Sequence, residues 1–313
     1  MQYFIQSCCL LIFLFFSNCS GQDTGDQSTV EKIENQSNGE FNAYWYAGKA
    51  EITSYDLQQA RYDEIHNGEA VLIFVTEDFL VEKQVKDEGL SQNASVSVLK
   101  LNFVRKFPTG IYDYSMMTSS FIPVHQKKYS PAMKVSSSAQ EWCGHAWLQL
   151  NKKGEEYEVQ SNSYFEGEGD VHTTIETSIL EDGLWAQLRL NPDLVPIGEQ
   201  MVFPSSQYIR MAHKALHAYP AVISKSDYLK EDMPGHQLVE LKVDYQNLGR
   251  RLEIIYTANF PHEIVGWREL TSTANNSNTF TTVARKKAQL KSPYWNKNSA
   301  IDAPLRDSLK LKF

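Results

Sequence analysis

Apolar and polar positions along this chain alternate with period two far more often than they recur at helical spacing. Val239, Leu241, Val243 and Tyr245 alternate with Glu240, Lys242 and Asp244, the pattern of a half-buried strand with one wet face. Asn247-Leu248-Gly249 then turns the chain, and Leu252, Ile254 and Tyr256 resume the alternation. Phe260-Pro261-His262 turns it again before the stretch from Ile264 to Leu270, and residues 279–285 read as a further strand. Ala70 to Val75 is a continuous apolar run, which predicts a strand buried on both faces. Over 95–104 the alternation passes through Val96 and Val98, then changes phase to Leu99, Leu101 and Phe103. A phase change inside a strand predicts a β-bulge. Short strands joined by short turns predict an antiparallel meander, because parallel neighbours need crossovers of about a dozen residues.

Helical signals are few. Leu180, Leu184, Trp185, Leu188 and Leu190 mark a segment that Gly183 interrupts and Asn191-Pro192 stops. Residues 206–217 suit helix and strand equally. The tail, 291–313, reads as a surface wrap with a short helix near Leu305. There is no repeat and no internal linker. The expected fold is mainly β: an antiparallel meander forming a curved sheet or barrel-like domain over residues 41–290, with one or two short helices, as one domain or two fused half-barrels.

The N-terminus follows different rules. Cys8 to Phe16 is an uncharged apolar run, too short to span a bilayer, which needs about 18 residues, but of the length of a signal-peptide core. Ser17-Asn18-Cys19 follows directly. A small residue two places before a cysteine at this point resembles the bacterial lipobox. Residues 1–18 are therefore expected to be a lipoprotein signal peptide and Cys19 the lipidated first residue of the mature chain. The n-region carries no Lys or Arg, and Asn18 departs from the small residue usual before the cysteine. Residues 19–40 contain no aromatic side chain and few apolar ones, the composition of a flexible tether. This predicts a cell-envelope location, as an outer-membrane lipoprotein with its domain on the periplasmic or surface face.

Composition narrows the classes further. With 313 residues and 42% hydrophobic content the chain has ample material for a core. A net charge of −8 argues against a nucleic-acid partner, since such binding rests on clustered Lys and Arg. Once Cys8 and Cys9 leave with the signal and Cys19 is acylated, Cys143 remains alone, so no intramolecular disulfide is expected. Cys143 is predicted to be unpaired and mostly buried.

The sharpest local feature is Glu141-Trp142-Cys143-Gly144-His145-Ala146-Trp147. Read as a strand, it places Cys143, His145, Trp147 and Gln149 on one face and Trp142, Ala146, Leu148 and Leu150 on the core face. A thiol and an imidazole on one face are candidates for a nucleophile pair or for two metal ligands, although no third ligand stands at a recognisable spacing and a buried small thiol with a hydrogen-bonded histidine is the simpler reading. His213 and His217 have the i, i+4 spacing of zinc ligands, but Lys214 stands where the metalloprotease pattern requires Glu. Asp170 and His172, near Glu166 and Glu168, read as a solvated acidic loop. No P-loop, Rossmann glycine pattern, Gly-x-Ser-x-Gly elbow or Ser-x-x-Lys is present, and neither a metal nor a cofactor is called for. Tyr44-Trp45-Tyr46 and Tyr294-Trp295 are aromatic clusters near the two ends of the domain. Together with Trp147 they are candidates to line a ligand mouth, or simply to close the ends of a barrel.

Tyr44-Trp45-Tyr46-Ala47-Gly48-Lys49, Gln140-Glu141-Trp142-Cys143-Gly144-His145, Ser163-Tyr164-Phe165-Glu166-Gly167-Glu168 and Ser292-Pro293-Tyr294-Trp295-Asn296-Lys297 together resemble a family of Bacteroidetes envelope lipoproteins. Its members often carry the label "septum formation inhibitor Maf". The resemblance covers nearly all of the mature domain and implies an exported location; it supplies no active site. Maf pyrophosphatases themselves are α/β enzymes with a Ser-x-Ser-Pro-Arg-Arg type motif, whereas here Ser130-Pro131 is followed by Ala132-Met133. The function expected is non-catalytic binding of an apolar or amphipathic ligand, or of a partner protein, by a membrane-tethered domain. The alternatives are a hydrolase, through Cys143 and His145 or on nucleotides if the Maf label holds, and a structural scaffold.

The anchor is directly testable. Metabolic palmitate labelling should mark the wild-type chain and be lost in Cys19→Ala, with release from the membrane fraction; a variant that stays labelled and membrane-bound refutes the lipobox reading.

Overall fold

The computed structural model describes residues 39–90, 92–272 and 279–312. The expected signal peptide (1–18), the expected lipidation site Cys19 and the expected tether as far as residue 38 lie outside the described residues. From Ala43 onward the chain forms one unit.

After a short helix over 39–45 come nine strands: β1 (Ala50–Arg61), β2 (Glu64–Leu80), the short β3 (Val85–Lys86), β4 (Ser95–Thr109), β5 (Tyr112–Pro123), β6 (Lys134–Glu141), β7 (Gly144–Lys153), β8 (Glu156–Ser163) and β9 (Val171–Glu176). After β10 (Ile179–Leu180) comes helix α1 (Glu181–Leu190), then β11 (Gly198–Phe203), helix α2 (Ser206–Ala212), β12 (Tyr219–Asp227), β13 (Leu238–Tyr245), β14 (Arg250–Thr257), β15 (Ile264–Ser272), β16 (Thr279–Ser292) and helix α3 (Pro304–Ser308). All strands join one sheet, in the order β10-β11-β12-β13-β14-β15-β16-β1-β2-β4-β5-β6-β7-β8-β9, with β3 on β2. Every pair is antiparallel except β10 with β11. The expected mainly β meander is thus present, with more short helices than the one or two anticipated. Residues 206–212, compatible in sequence with either state, are helical.

The sheet curls on itself. In a flat sheet β4 and β15, four strand spacings apart, would be separated by about 19 Å. Instead the rings of Phe103 on β4 and Trp267 on β15 meet edge to face at 5.2 Å. The two edge strands also approach each other, because Thr177-Ser178 alone joins the end of β9 to the start of β10, a reach of at most about 11 Å. The result is barrel-like, with register shifts at Ser54/Tyr55 between β1 and β16 and at Ile255/Tyr256 between β14 and β15. The bulge expected over 95–104 is absent: β4 keeps continuous register with both β2 and β5. Its phase change reflects burial on both faces, with Val98 and Leu99 each fully buried.

Helix α1 fills the interior. All ten of its residues are buried, Glu181, Asp182, Gln187 and Arg189 included. Trp185 packs edge to face on Phe103 and Trp267, at 5.1 and 5.2 Å. Gly183, which interrupts the helical pattern in sequence, permits close packing. A Cβ there would lie 3.2 Å from Ile122 Cδ1 and 3.4 Å from Ala132 Cβ.

The charged ends of α1 are matched by the sheet. At the N-terminus Glu181 accepts from Arg250 Nη1 and Nη2 at 2.5 and 2.7 Å and from the Tyr245 hydroxyl at 2.5 Å. At the C-terminus Arg189 forms a two-pronged pair with Glu51 of β1, its Nη2 at 2.6 Å. Acid at the start and base at the end also suit the helix dipole. Burial alone would raise the Glu51 carboxyl, but the charge and hydrogen bonds of Arg189, with the Tyr44 hydroxyl, hold it below the usual carboxylate range. A neighbouring link, Arg105 to Glu269 at 2.5 Å and to Gln59 at 3.0 Å, ties β4 to β15 and β1.

Removing one partner of a buried ion pair costs about 3–5 kcal/mol, whereas replacing both with apolar side chains is often close to neutral. Glu181→Leu should therefore lower the urea-unfolding free energy by about that amount, and Glu181→Leu/Arg250→Met should recover most of it. A double variant no more stable than the single one would refute the pairing.

Candidate functional site

The inner face of the sheet is not filled uniformly. Toward one end of β6–β8 the inward positions are large: Val135, Leu150, Tyr157 and Val159 are completely buried. Toward the β6–β7 hairpin they become small: Ser137, Ala139, Ala146, Ser161 and Ser163. Register places Ser137 beside Leu148 and Ser161, and Ala139 beside Ala146 and Ser163. These small side chains leave a cavity of about 490 Å³, with α2 and the residues after it as its other wall. That is within the roughly 300–1,000 Å³ typical of single-ligand sites.

Helix α2 is held over the cavity by α1. Ser206 donates its backbone N–H and its hydroxyl to Asp182 Oδ2, at 2.8 and 2.6 Å. The Ser205 side chain caps the helix by accepting from Tyr208 N. Burial pushes the Asp182 carboxyl up to about 6, with the Ser206 hydrogen bonds opposing.

The cavity has an apolar wall and a polar end. Leu148, Val171 and Ile209 contribute the first. Gln207, Arg210, Glu168 and His213 contribute the second. Gln207 is 3% exposed. Its amide nitrogen donates to Thr118 Oγ1 at 3.2 Å and toward Phe103 O at 3.4 Å, which leaves its Oε1 buried without a partner. Arg210 lies over the Phe165 ring at 4.4 Å and donates from Nη2 to Glu141 at 2.6 Å, while its Nε is buried and unpaired. Glu168 accepts from Ser163 Oγ at 2.6 Å and pairs with His213 Nδ1. Burial would raise the Glu168 carboxyl, but these hydrogen bonds outweigh it and hold it below its ordinary value.

The candidates from sequence fall in several places. Cys143 is free, as expected, but exposed rather than buried. The reason is local: Trp142 and Cys143 form the β6–β7 turn, and the strand begins only at Gly144. Gly144 has φ +155°, with Tyr164 packed on it so that a Cβ would meet the ring at 2.8 Å. Trp142, placed on the core face by the strand reading, is 69% exposed for the same reason. His145 is exposed on the outer face of β7, and no hydrogen bond joins it to Cys143 among the described residues. Helix α2 ends at Ala212 and His213 adopts the left-handed conformation, so His213 and His217 do not share a helical face. His217 stacks on Tyr219 instead. Asp170 and His172 are exposed. Among the described residues no group of three or more His, Cys, Asp or Glu side chains is placed to hold a metal ion.

Of the aromatic candidates, Trp147 borders the cavity. Trp45 is buried in the core, with Arg189 lying over its ring at 5.1 Å, and Tyr44 donates to Glu51. Tyr46 is partly exposed and hydrogen-bonded to Ser97 at 3.0 Å. Tyr294 borders a second cavity on the opposite face of the sheet, and Trp295 beside it is 46% exposed. Gln207, Arg210 and the serines of β8 were not singled out by sequence. Their signal, a run of small inward residues, appears only once the strand register is known.

No family model matches the chain, and no curated protein matches it in sequence. Among solved structures it is similar to a porin-like protein from Bacteroides uniformis ATCC 8492. That comparison has 8% identity, covers 77% of this chain and 95% of the other, and gives a TM-score of 0.20.

Asp182 supplies a pH test of the α1–α2 link. Its folded value is raised, so its stabilising contribution is complete below its unfolded value of about 3.9 and is lost as pH rises through about 6. Asp182→Asn should remove this slope: the wild-type minus variant difference in unfolding free energy should fall between about pH 4 and about pH 7. A flat difference would contradict the assignment.

Proposed function

We propose that this chain is a lipid-anchored cell-envelope protein that binds one amphipathic ligand, without chemical turnover, in the cavity beneath α2. The observation that carries this reading is the pairing of an apolar wall with two buried, unpartnered polar atoms, Gln207 Oε1 and Arg210 Nε, at one end of a 490 Å³ space. An unsatisfied buried polar atom is costly, and a ligand that satisfies it gains that energy on binding. The matching ligand has a short apolar body, a hydrogen-bond donor for Gln207 and an acceptor for Arg210. The envelope location rests on the Cys8–Phe16 run and Ser17-Asn18-Cys19, and on the family resemblance. A hydrolase built on Cys143 and His145 has no support in the geometry, since both side chains are exposed, one on the hairpin turn and one on the outer face.

Native mass spectrometry of the full-length protein, purified from its own membrane, tests the proposal. The wild type should carry a co-purifying small molecule, and Ser161→Phe, which fills the cavity, should lose it while keeping the wild-type circular dichroism spectrum. Identical spectra of bound species in the two proteins, or no bound species in either, would reject the site.

A further inference from the structure

The outer face of the sheet holds a second cavity, separate from the one beneath α2. It measures about 470 Å³. Its floor is made by outward-facing Ile52 of β1, Val71 and Ile73 of β2, Val104 of β4 and Leu290 of β16. Its roof is the C-terminal segment, with Leu305 of α3, Leu309 and Leu311. That segment is fastened to the sheet at the cavity's own edge, through Leu309 and Glu69. Ser54 Oγ donates to Leu309 O at 2.5 Å, Lys312 N donates to the Glu69 carboxylate at 3.0 and 3.1 Å, and Lys287 Nζ donates to Lys310 O at 2.9 Å. Leu309 is seated against the sheet at 6% exposure, while Leu305 and Arg306 of α3, just before it, line the cavity.

Charge at the rim is asymmetric in availability. Glu69 is already engaged by Lys287 at 2.5 Å and by Lys312 N. Asp302 faces Lys297 at 3.7 Å. Among the described residues the side chains of Lys106 and Arg306, both exposed and both on the cavity wall, have no ion-pair partner. The cavity thus combines an apolar floor and roof with two unclaimed cations at its mouth, and its volume lies in the lower half of the roughly 300–1,000 Å³ range for one ligand.

We propose that this outer cavity binds a single-chain fatty carboxylate, with the alkyl chain between the sheet and α3 and the carboxylate held by Lys106 and Arg306. Chain and head play separable roles. The chain supplies burial, which raises affinity about fourfold for each methylene taken from water. The head supplies charge-assisted hydrogen bonds, which an alcohol of equal length cannot match.

Isothermal titration of the full chain with palmitate, decanoate and hexadecanol, each as monomer in solution, tests this. Palmitate should bind at one equivalent, with decanoate and hexadecanol each at least tenfold weaker. Lys106→Gln/Arg306→Gln, which removes both cations without setting a like charge opposite Glu69 on β2, should weaken palmitate at least tenfold and leave hexadecanol unchanged. Ile73→Trp should weaken both. Ser161→Phe, which blocks the cavity beneath α2, should leave palmitate binding intact. The proposal is overturned by absence of palmitate binding, by binding insensitive to removal of the two cations, by binding lost in Ser161→Phe, or by association only with phosphatidylglycerol vesicles. Loss of the co-purifying ligand in Ser161→Phe with palmitate binding retained separates the two sites.

Discussion

The structure depends on neutralising the two charged ends of a helix that water cannot reach. Glu181 and Arg189 lie at opposite ends of α1, in the interior of a curled sheet, and each would be prohibitively costly there alone. The sheet answers with Arg250 from β14 and Glu51 from β1, residues 69 and 138 positions away in sequence. Reversing the helix would set Glu181 near Glu51 and Arg189 near Arg250. The two pairs therefore specify direction as well as position, a registry role that apolar contacts cannot perform. Aromatic rings complete the arrangement: Arg189 lies over Trp45 and Phe74, and Arg250 over Tyr208 and Tyr245.

The position of the cavity follows from the length of that helix. Ten residues of α-helix reach about 15 Å, enough to fill the space between β4–β5 and β13–β15 but not the part under β6–β9. There the inward side chains shrink to Ser and Ala, so the space stays open rather than being filled from the sheet. Helix α2 is carried to its place by the Asp182–Ser206 hydrogen bonds, which begin on α1 itself. Core and site are thus mechanically continuous, and a disturbance of α1 reaches the cavity through one carboxylate.

Much of the sheet was legible in sequence because alternation is a local signal. β13 and β14 show it plainly, and the apolar run of β2 marks a strand apolar on both faces, although Val71 and Ile73 on its outer face are only half-buried where the run was expected to be fully buried. What failed needed distant partners. In α1 the apolar spacing says nothing of Glu181, Asp182 and Arg189, whose burial makes sense only beside Ser206, Arg250 and Glu51. In β4, a bulge and two-sided burial produce the same change of phase, and only pairing with β2 and β5 distinguishes them. At Glu141 to Trp147, alternation was read through a two-residue turn, so Cys143 and Trp142 were assigned to strand faces that do not exist at those positions. Of the cavity, Trp147 was singled out as a ligand-lining candidate, but Gln207 and Arg210 were not, because nothing local marks a glutamine or arginine whose partners lie on other strands.

The two faces of the sheet solve burial differently, and this explains the C-terminal segment. On β7 and β8 the outward positions beyond Trp147 are polar, among them Gln149, Asn151, Lys153, Glu156, Glu158 and Gln160, while the inward ones include Leu148, Leu150, Tyr157 and Val159 and shrink to Ser161 and Ser163 at the cavity. This is the reverse of a lipid-facing barrel, whose apolar side chains point outward. On β1, β2, β4 and β16 the outer face instead carries Ile52, Val71, Ile73, Val104 and Leu290. An apolar patch of that kind requires cover, and the chain provides it with its own last residues, through Leu305, Leu309 and Leu311. The cover is incomplete, since α3 spans the patch without filling the space beneath it. The same strands that grip α1 on their inner face through Glu51 therefore hold a partly open apolar space on their outer face. Alternation along β1 links the two, with Glu51, Thr53 and Tyr55 facing inward and Ala50, Ile52 and Ser54 facing the C-terminal segment.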